Sequence, residues 1–353
     1  MRLTTRIRLL MCLLSAVAVL QGNLPAALGA DAPALAPPEP PAQPASGPGG
    51  AAVLYDRVIA TRHGRAPVGY WLFEPSTPAD PDRADRKLPL VLFVHGFNAL
   101  DPTVYRAWID HIVRRGAIVI YPDYQDVQLV GANPLTYLGN LLTGVRAATA
   151  ELKTGRHPPV GLTRAAVVGH SLGGILAANY AAVAEAQGLP LPALLMPIEP
   201  GGCRGCGGVS ERLGAPLAPL DTVPAGVLVL VVVGSEDDVV GTTGGRLIWS
   251  GLEEVPLDQR DFVTLVSDDH GRPPLEADHQ LPQTDGLGSR VDAMDWYGSW
   301  KLFDALTSCA FEERWCDTAL GNSDSQRFMG VWSDGMPVAE ARITDDPGPP
   351  VPS

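Results

Sequence analysis

Ala165-Ala166-Val167-Val168-Gly169-His170-Ser171-Leu172-Gly173-Gly174 is the most informative stretch of the chain. Ala165 to Val168 is a short apolar run of the kind that forms a buried strand. From Leu172 to Ala186 the small, apolar residues predict a helix. Between them stands a serine in a Gly-x-Ser-x-Gly pattern. A serine in a strand-to-helix turn needs a strained backbone, and glycines two positions to either side remove the Cβ clashes. Such a turn pushes the hydroxyl out of the sheet and leaves free N–H groups of a helix start beside it, where an oxyanion is stabilised. A tight turn with an incidental serine is the plain alternative, and the placement between strand and helix argues against it. His170 adjoins the serine in sequence, but the turn directs its side chain elsewhere, so it is read as structural.

Working outward, strand-like and helix-like segments alternate. Ala52 to Thr61 and Pro67 to Phe73 read as two early strands, and Leu88 to Val94 as a third ending in His95-Gly96. Val104 to Arg115 has helical spacing, with Tyr105, Trp108, Ile109 and Ile112 on one side. Ala117 to Tyr121 is the next strand, and Asn133-Pro134 opens a helix over Leu135 to Leu152. Beyond the serine, Leu194 to Ile198, Val227 to Val233 and Phe262 to Val266 read as strands, and Val291 to Leu306 as the last long helix. Repeated strand–helix–strand order with continuously apolar strands predicts an α/β fold: one mostly parallel twisted sheet with helices on both faces and an antiparallel edge at its start. Sites in such folds lie at the carboxyl ends of the strands.

The elbow Gly169-His170-Ser171-Leu172-Gly173-Gly174, the strand-end Val94-His95-Gly96-Phe97, and the order serine, acid, histidine together resemble the α/β-hydrolase superfamily, in particular its serine esterases and lipases, including cutinase-like and acetylhydrolase-like secreted members. The resemblance covers Ala52 to Leu306 and implies a single α/β-hydrolase domain with a Ser–His–Asp triad and an acyl-enzyme intermediate. It also implies an oxyanion hole made by the backbone N–H groups of Phe97 and Leu172. The alternative for His95-Gly96 is a simple strand-ending turn.

The acid follows the strand Val227 to Val233, in Glu236-Asp237-Asp238-Val239-Val240. The family pattern, an acid followed by one residue and two aliphatics, favours Asp237 over Asp238 and Glu236. Glu199, at the end of the preceding strand, is an outside candidate. For the base, His270 lies just past Val266 with Gly271 to turn the loop, and is preferred. His279, nine residues further on, reaches the site only if the chain folds back. A metal cluster of Asp268, Asp269, His270, Asp278 and His279 has no matching ligand spacing. The expected triad is therefore Ser171, Asp237 and His270, and its chemistry requires no metal or organic cofactor.

Composition narrows the partners. The chain has 353 residues, 26 Lys+Arg against 39 Asp+Glu and a net charge of -13; 46% of it is hydrophobic, enough for a full core. The acidic balance argues against nucleic acid and against docking on anionic membranes. Arg2, Arg6 and Arg8, the apolar run Leu9 to Leu20 and small residues at Ala26 to Ala30 read as a signal peptide over residues 1–30, the apolar run itself being too short for a membrane span. Residues 31–50, rich in Ala, Pro and Gly, read as an extended linker, residues 51–344 as the domain, and 345–353 as a Pro-rich tail. Beyond Cys12, four cysteines remain. In an exported chain their spacing suggests disulfides Cys203–Cys206 and Cys309–Cys316, although four cysteines allow three connectivities, and a zinc site is the other alternative. The expected substrate is a small or polymeric carboxylic ester met outside the cytoplasm, with no stable membrane insertion. A secreted peptidase on the same fold, or a non-catalytic binding protein, are the rival readings.

Overall fold

The apolar runs become the strands of one nine-stranded sheet in the computed structural model, which describes residues 36–76, 86–126, 133–207, 214–286 and 288–350. In chain order the strands are β1 Val58–His63, β2 Tyr70–Pro75, β3 Leu88–Val94, β4 Ile118–Pro122, β5 Val160–His170, β6 Pro192–Ile198, β7 Leu228–Gly234, β8 Arg260–Leu265 and β9 Arg342–Thr344. Across the sheet they run β1-β2-β4-β3-β5-β6-β7-β8-β9. The six strands from β4 to β8 in that order are parallel. β1 and β2 form the expected antiparallel edge, and β9 adds a second antiparallel edge beside β8. β9 has only three residues, too few to show an alternating pattern in the sequence.

Side-chain alternation along each central strand builds two cores. Leu90, Leu92 and Val94 face one side, against helices α2 Tyr137–Leu152, α3 Leu172–Val183 and α4 Thr243–Gly251. Val91 and Phe93 face the other, against α1 Arg106–Arg114 and α5 Trp300–Glu312. Each large apolar side chain buried this way contributes roughly 1.5–3 kcal/mol. The helix starts follow from local chemistry. Asp101 accepts from Thr103 N ahead of α1, and Asn133 accepts from Leu135 N ahead of α2, each followed by a proline.

The proline-rich stretch before β1 departs from the expected linker. The compact unit begins at Pro37, and residues 37–50 lie along the rest of it. The carbonyls of Pro38, Glu39 and Pro41 accept from Arg272 N, Ser333 N and Trp296 Nε1, and Gly49 N donates to the buried Asp304 carboxylate at 2.8 Å. Proline carbonyls in an extended segment have no local partners, so donors on the domain surface take them. In the tail, Pro349 O accepts from Arg246 at 3.1 Å. The expected signal segment and Cys12 lie outside the described residues. Both expected disulfides are formed, Cys203–Cys206 and Cys309–Cys316, with Cα–Cα separations of 5.2 and 4.7 Å. No helix among the described residues is long and apolar enough to cross a membrane.

Candidate active site

Ser171 sits between the end of β5 and the start of α3 with φ 56° and ψ -125°, a conformation that costs a non-glycine residue on the order of 1–3 kcal/mol. Main-chain hydrogen bonds from both sides hold it there. Ser171 N donates to Ile198 O at 3.0 Å, while Ser171 O accepts from Gly174 N at 2.9 Å and Gly201 N at 3.2 Å. Two flanking glycines are required by space. A Cβ on Gly169 would lie 2.2 Å from Gly173 O, and one on Gly173 would lie 2.1 Å from Val94 O. The elbow is thus wedged under the carboxyl end of β3.

His279, not His270, meets the serine. His279 Nε2 is 3.0 Å from Ser171 Oγ, and His279 Nδ1 is 2.9 Å from Asp237 Oδ2. All three residues are buried. The expected placement of His270 is corrected by the course of the chain after β8. Asp268 and Leu275 exchange two backbone hydrogen bonds, at 2.8 and 2.9 Å, so residues 269–274 form an outward excursion that closes on itself. His270 lies on that excursion. It bonds Asp334 at 2.8 Å and packs against Trp332, with its side chain 38% exposed. The returning segment passes over the end of β7, where Glu236 N donates to Ala277 O at 3.0 Å, and this brings His279 beside Asp237.

Among the three consecutive acids, Asp237 is the one turned inward. Its Oδ1 accepts from Val239 N and Val240 N, both at 3.0 Å, which leaves Oδ2 for the imidazole. Those two bonds fix the carboxylate plane and tie the orientation of Asp237 to the two aliphatic residues that follow. Glu199 is elsewhere. It stands at φ 47° after β6, 1% exposed, with Oε2 3.4 Å from His170 Nε2. Burial first, then the charges of Asp237 and Asp278, push its pKa well above the carboxylate range. Burial and the neighbouring His279 push His170 well below the histidine range. The Glu199–His170 contact therefore joins two neutral groups and is no ion pair.

The neutral His170 has a defined task. Gly96 N–H donates to Tyr105 Oη at 3.0 Å, Tyr105 O–H donates to His170 Nδ1 at 2.8 Å, and His170 Nε2–H donates to His279 O at 3.1 Å. One chain of hydrogen bonds thus ties the loop after β3, the elbow and the histidine loop. Of three successive amides after β3, Gly96 N is taken by Tyr105 and Asn98 N by Gln125 Oε1 at 2.8 Å. Phe97 N, between them, has no protein acceptor among the described residues. Gly96 itself abuts the elbow, since a Cβ on it would lie 3.4 Å from Ser171 Cβ. Leu172 opens α3, so its N–H is one of the amides a helix start leaves unpaired. His95 is neutral too, pushed down to about 4 by burial, and it stacks on Tyr124 at 4.3 Å behind this loop.

His170, Glu199 and His279 are also the one group of metal-ligating side chains that converges among the described residues, with ligand atoms within 4.8 Å. Both ring nitrogens of His279 are engaged with Asp237 and Ser171, and those of His170 with Tyr105 and the His279 carbonyl, so the set is organised as a hydrogen-bond network. Asp268, from the cluster considered in the sequence, accepts from His270 N, Trp332 Nε1 and Ala339 N, and serves the loop that carries His270. No protein-family profile and no curated protein matches the chain. Its architecture, an α/β domain with a mostly parallel nine-stranded sheet, is compatible with the α/β-hydrolase fold.

Proposed function

We propose that the chain is a secreted serine hydrolase that cleaves carboxylic esters. The observation that carries this reading is the pair of contacts at 3.0 and 2.9 Å that join Ser171, His279 and Asp237 in a line at the carboxyl edge of the sheet. In the mechanism, His279 Nε2 takes the hydroxyl proton as Ser171 Oγ attacks the ester carbonyl. Asp237 accepts from Nδ1–H, keeps the imidazole in the tautomer that can receive that proton, and stabilises the imidazolium. The carbonyl oxygen becomes an oxyanion between the N–H groups of Phe97 and Leu172. His279 then protonates the leaving alkoxide, and a water molecule, deprotonated by the same nitrogen, releases the acyl group from Ser171.

The rim of the site supports an apolar ester. Phe97 and Val239, on the loops that carry the oxyanion amide and the acid, leave their side chains 52% and 68% exposed. In this reading their apolar surface is available to an acyl or alkyl chain, and Cys203–Cys206 pins the loop that follows β6. The two disulfides fit an oxidising compartment outside the cytoplasm.

The test is hydrolysis of p-nitrophenyl esters from acetate to palmitate by the purified protein and by Ser171→Ala, His279→Ala and His270→Ala. Ser171→Ala and His279→Ala should each lose on the order of 10³-fold or more in turnover, by analogy with other triads. His270→Ala should keep most of it. Undiminished turnover in folded Ser171→Ala or His279→Ala would overturn the assignment.

A further inference from the structure

A cavity at the amino-terminal end of β3 carries a charge opposite to that of the chain. Its volume is about 380 Å³, within the roughly 300–1,000 Å³ of small-molecule sites. Arg86, Lys87, Arg115, Arg164 and Arg314 line it against Asp304 and Glu312, in a protein of net charge -13. The two acids are already matched. Asp304 holds Arg115 at 3.2 Å and His111 at 2.8 Å, and Glu312 holds Arg314 at 3.3 Å. Arg86, Lys87 and Arg164 have no carboxylate partner among the described residues.

Arg164 is the most telling of the three. Its guanidinium lies over the Phe311 ring at 5.1 Å, and one Nη donates to Lys87 O at 3.3 Å. Its Nε–H is buried and has no acceptor among the described residues. A buried donor left unmatched costs about 1–3 kcal/mol, more for a charged group. The rest of the lining includes hydrocarbon from Val91, Ile112, Phe303 and Phe311. Leu54 and Trp315 also line the cavity, and remain 42% and 45% exposed. Trp315 has φ 60° and precedes Cys316, so the Cys309–Cys316 bridge fixes the loop that presents it.

We infer that this cavity binds a small amphipathic carboxylate. Its carboxylate is received by Arg164, with Arg86 and Lys87 beside it, and its apolar body lies between the Phe303–Phe311 wall and Trp315. A planar guanidinium suits a carboxylate, and one cationic corner against a hydrocarbon wall suits a monoanion with an apolar body better than a free phosphate. The site is separate from Ser171. Arg164 precedes the serine by seven residues on β5, which at about 3.3 Å per residue puts them roughly 20 Å apart. The inference does not depend on the hydrolase reading.

The experiment is calorimetric titration of the full chain with sodium 2-naphthoate and with the neutral 2-naphthamide, with tryptophan fluorescence as a second readout. Naphthoate should bind saturably at one site and perturb Trp315. Naphthamide should bind roughly tenfold more weakly or worse, and Arg164→Gln should weaken naphthoate by a similar factor. If Arg164→Gln does not fold, the exposed double variant Arg86→Gln/Lys87→Gln carries the same test. Absence of saturable binding, equal affinity for naphthamide, or an affinity unchanged in the charge variants would overturn the inference. So would displacement of naphthoate by inorganic phosphate together with no effect of Trp315→Ala, which would mark a bare anion site.

Discussion

Tyr105→Phe removes one oxygen from the middle of the hydrogen-bond chain that joins three loops around Ser171. The tyrosine is fully buried, and its ring packs on Phe93 at 5.1 Å, contacts a phenylalanine keeps. Two buried groups lose their partner: Gly96 N–H, which donated at 3.0 Å, and His170 Nδ1, which accepted at 2.8 Å. Burial raises the tyrosine pKa and lowers that of His170, so both groups are neutral in the working range and the lost bonds are neutral–neutral. Each unmatched buried group costs about 1–3 kcal/mol, so the variant should be destabilised by about 3 kcal/mol. At roughly 2 °C per kcal/mol for a domain of this size, the melting temperature should fall by about 6 °C. Full loss of an oxyanion donor costs about 2.7–4 kcal/mol in the transition state. Loosening Gly96, next to the Phe97 amide, forfeits part of that, so turnover should drop roughly tenfold with little change in KM. Thermal unfolding followed by tryptophan fluorescence measures the first quantity, and p-nitrophenyl butyrate hydrolysis the second. A melting temperature within about 1 °C of the parent would refute the account of the network, by the same conversion. Full stability loss with unchanged turnover would instead break the link between Gly96 and the oxyanion amide.

Other consequences can be checked in parallel. Asp237→Asn should lower turnover by about 10⁴-fold, since an amide holds the wrong imidazole tautomer. Glu236→Gln, Asp238→Asn and Glu199→Gln should each stay near the parent, and a severe loss in Glu199→Gln would move the acid to β6. Gly173→Ala places a Cβ 2.1 Å from Val94 O, so it should yield little folded protein by circular dichroism; a parent-like melt would show that the elbow can shift. Lys301 is buried and pushed down to about 7, its Nζ donating to the carbonyls of Gln326 and Phe328. Because the unfolded lysine, at about 10.4, holds its proton longer, stability from this site is lost as pH falls from that value to about 7. Lys301→Met should flatten the parent's rise in urea midpoint over that range, and an identical slope in both proteins would contradict it.

The elbow was legible in the sequence because its constraints are local. Gly169, Ser171 and Gly173 lie within five residues, and the backbone sterics that demand them act over the same distance. The strands from Leu88 to Phe262 were legible for a similar reason, since a run buried on both faces is apolar throughout. The disulfides followed from short spacings, three and seven residues apart. Asp237 was favoured over its neighbours by the aliphatics that follow, and the structure supplies the cause: the amides of those same two residues, Val239 and Val240, hold its carboxylate.

Tertiary structure alone decided between His270 and His279. The outward excursion is closed by the Asp268–Leu275 bridge, and His270 is held by Asp334, 64 residues away in the chain. Neither partner leaves a mark on the local sequence, so the histidine nearest the strand end was the natural choice. The proline-rich stretch is a second case. Its composition says that it builds no core of its own, but its carbonyls meet Arg272, Trp296 and Ser333 more than two hundred residues on. Periodicity and backbone sterics are written within a few residues, whereas a contact between distant segments depends on surfaces that exist only once the chain has folded.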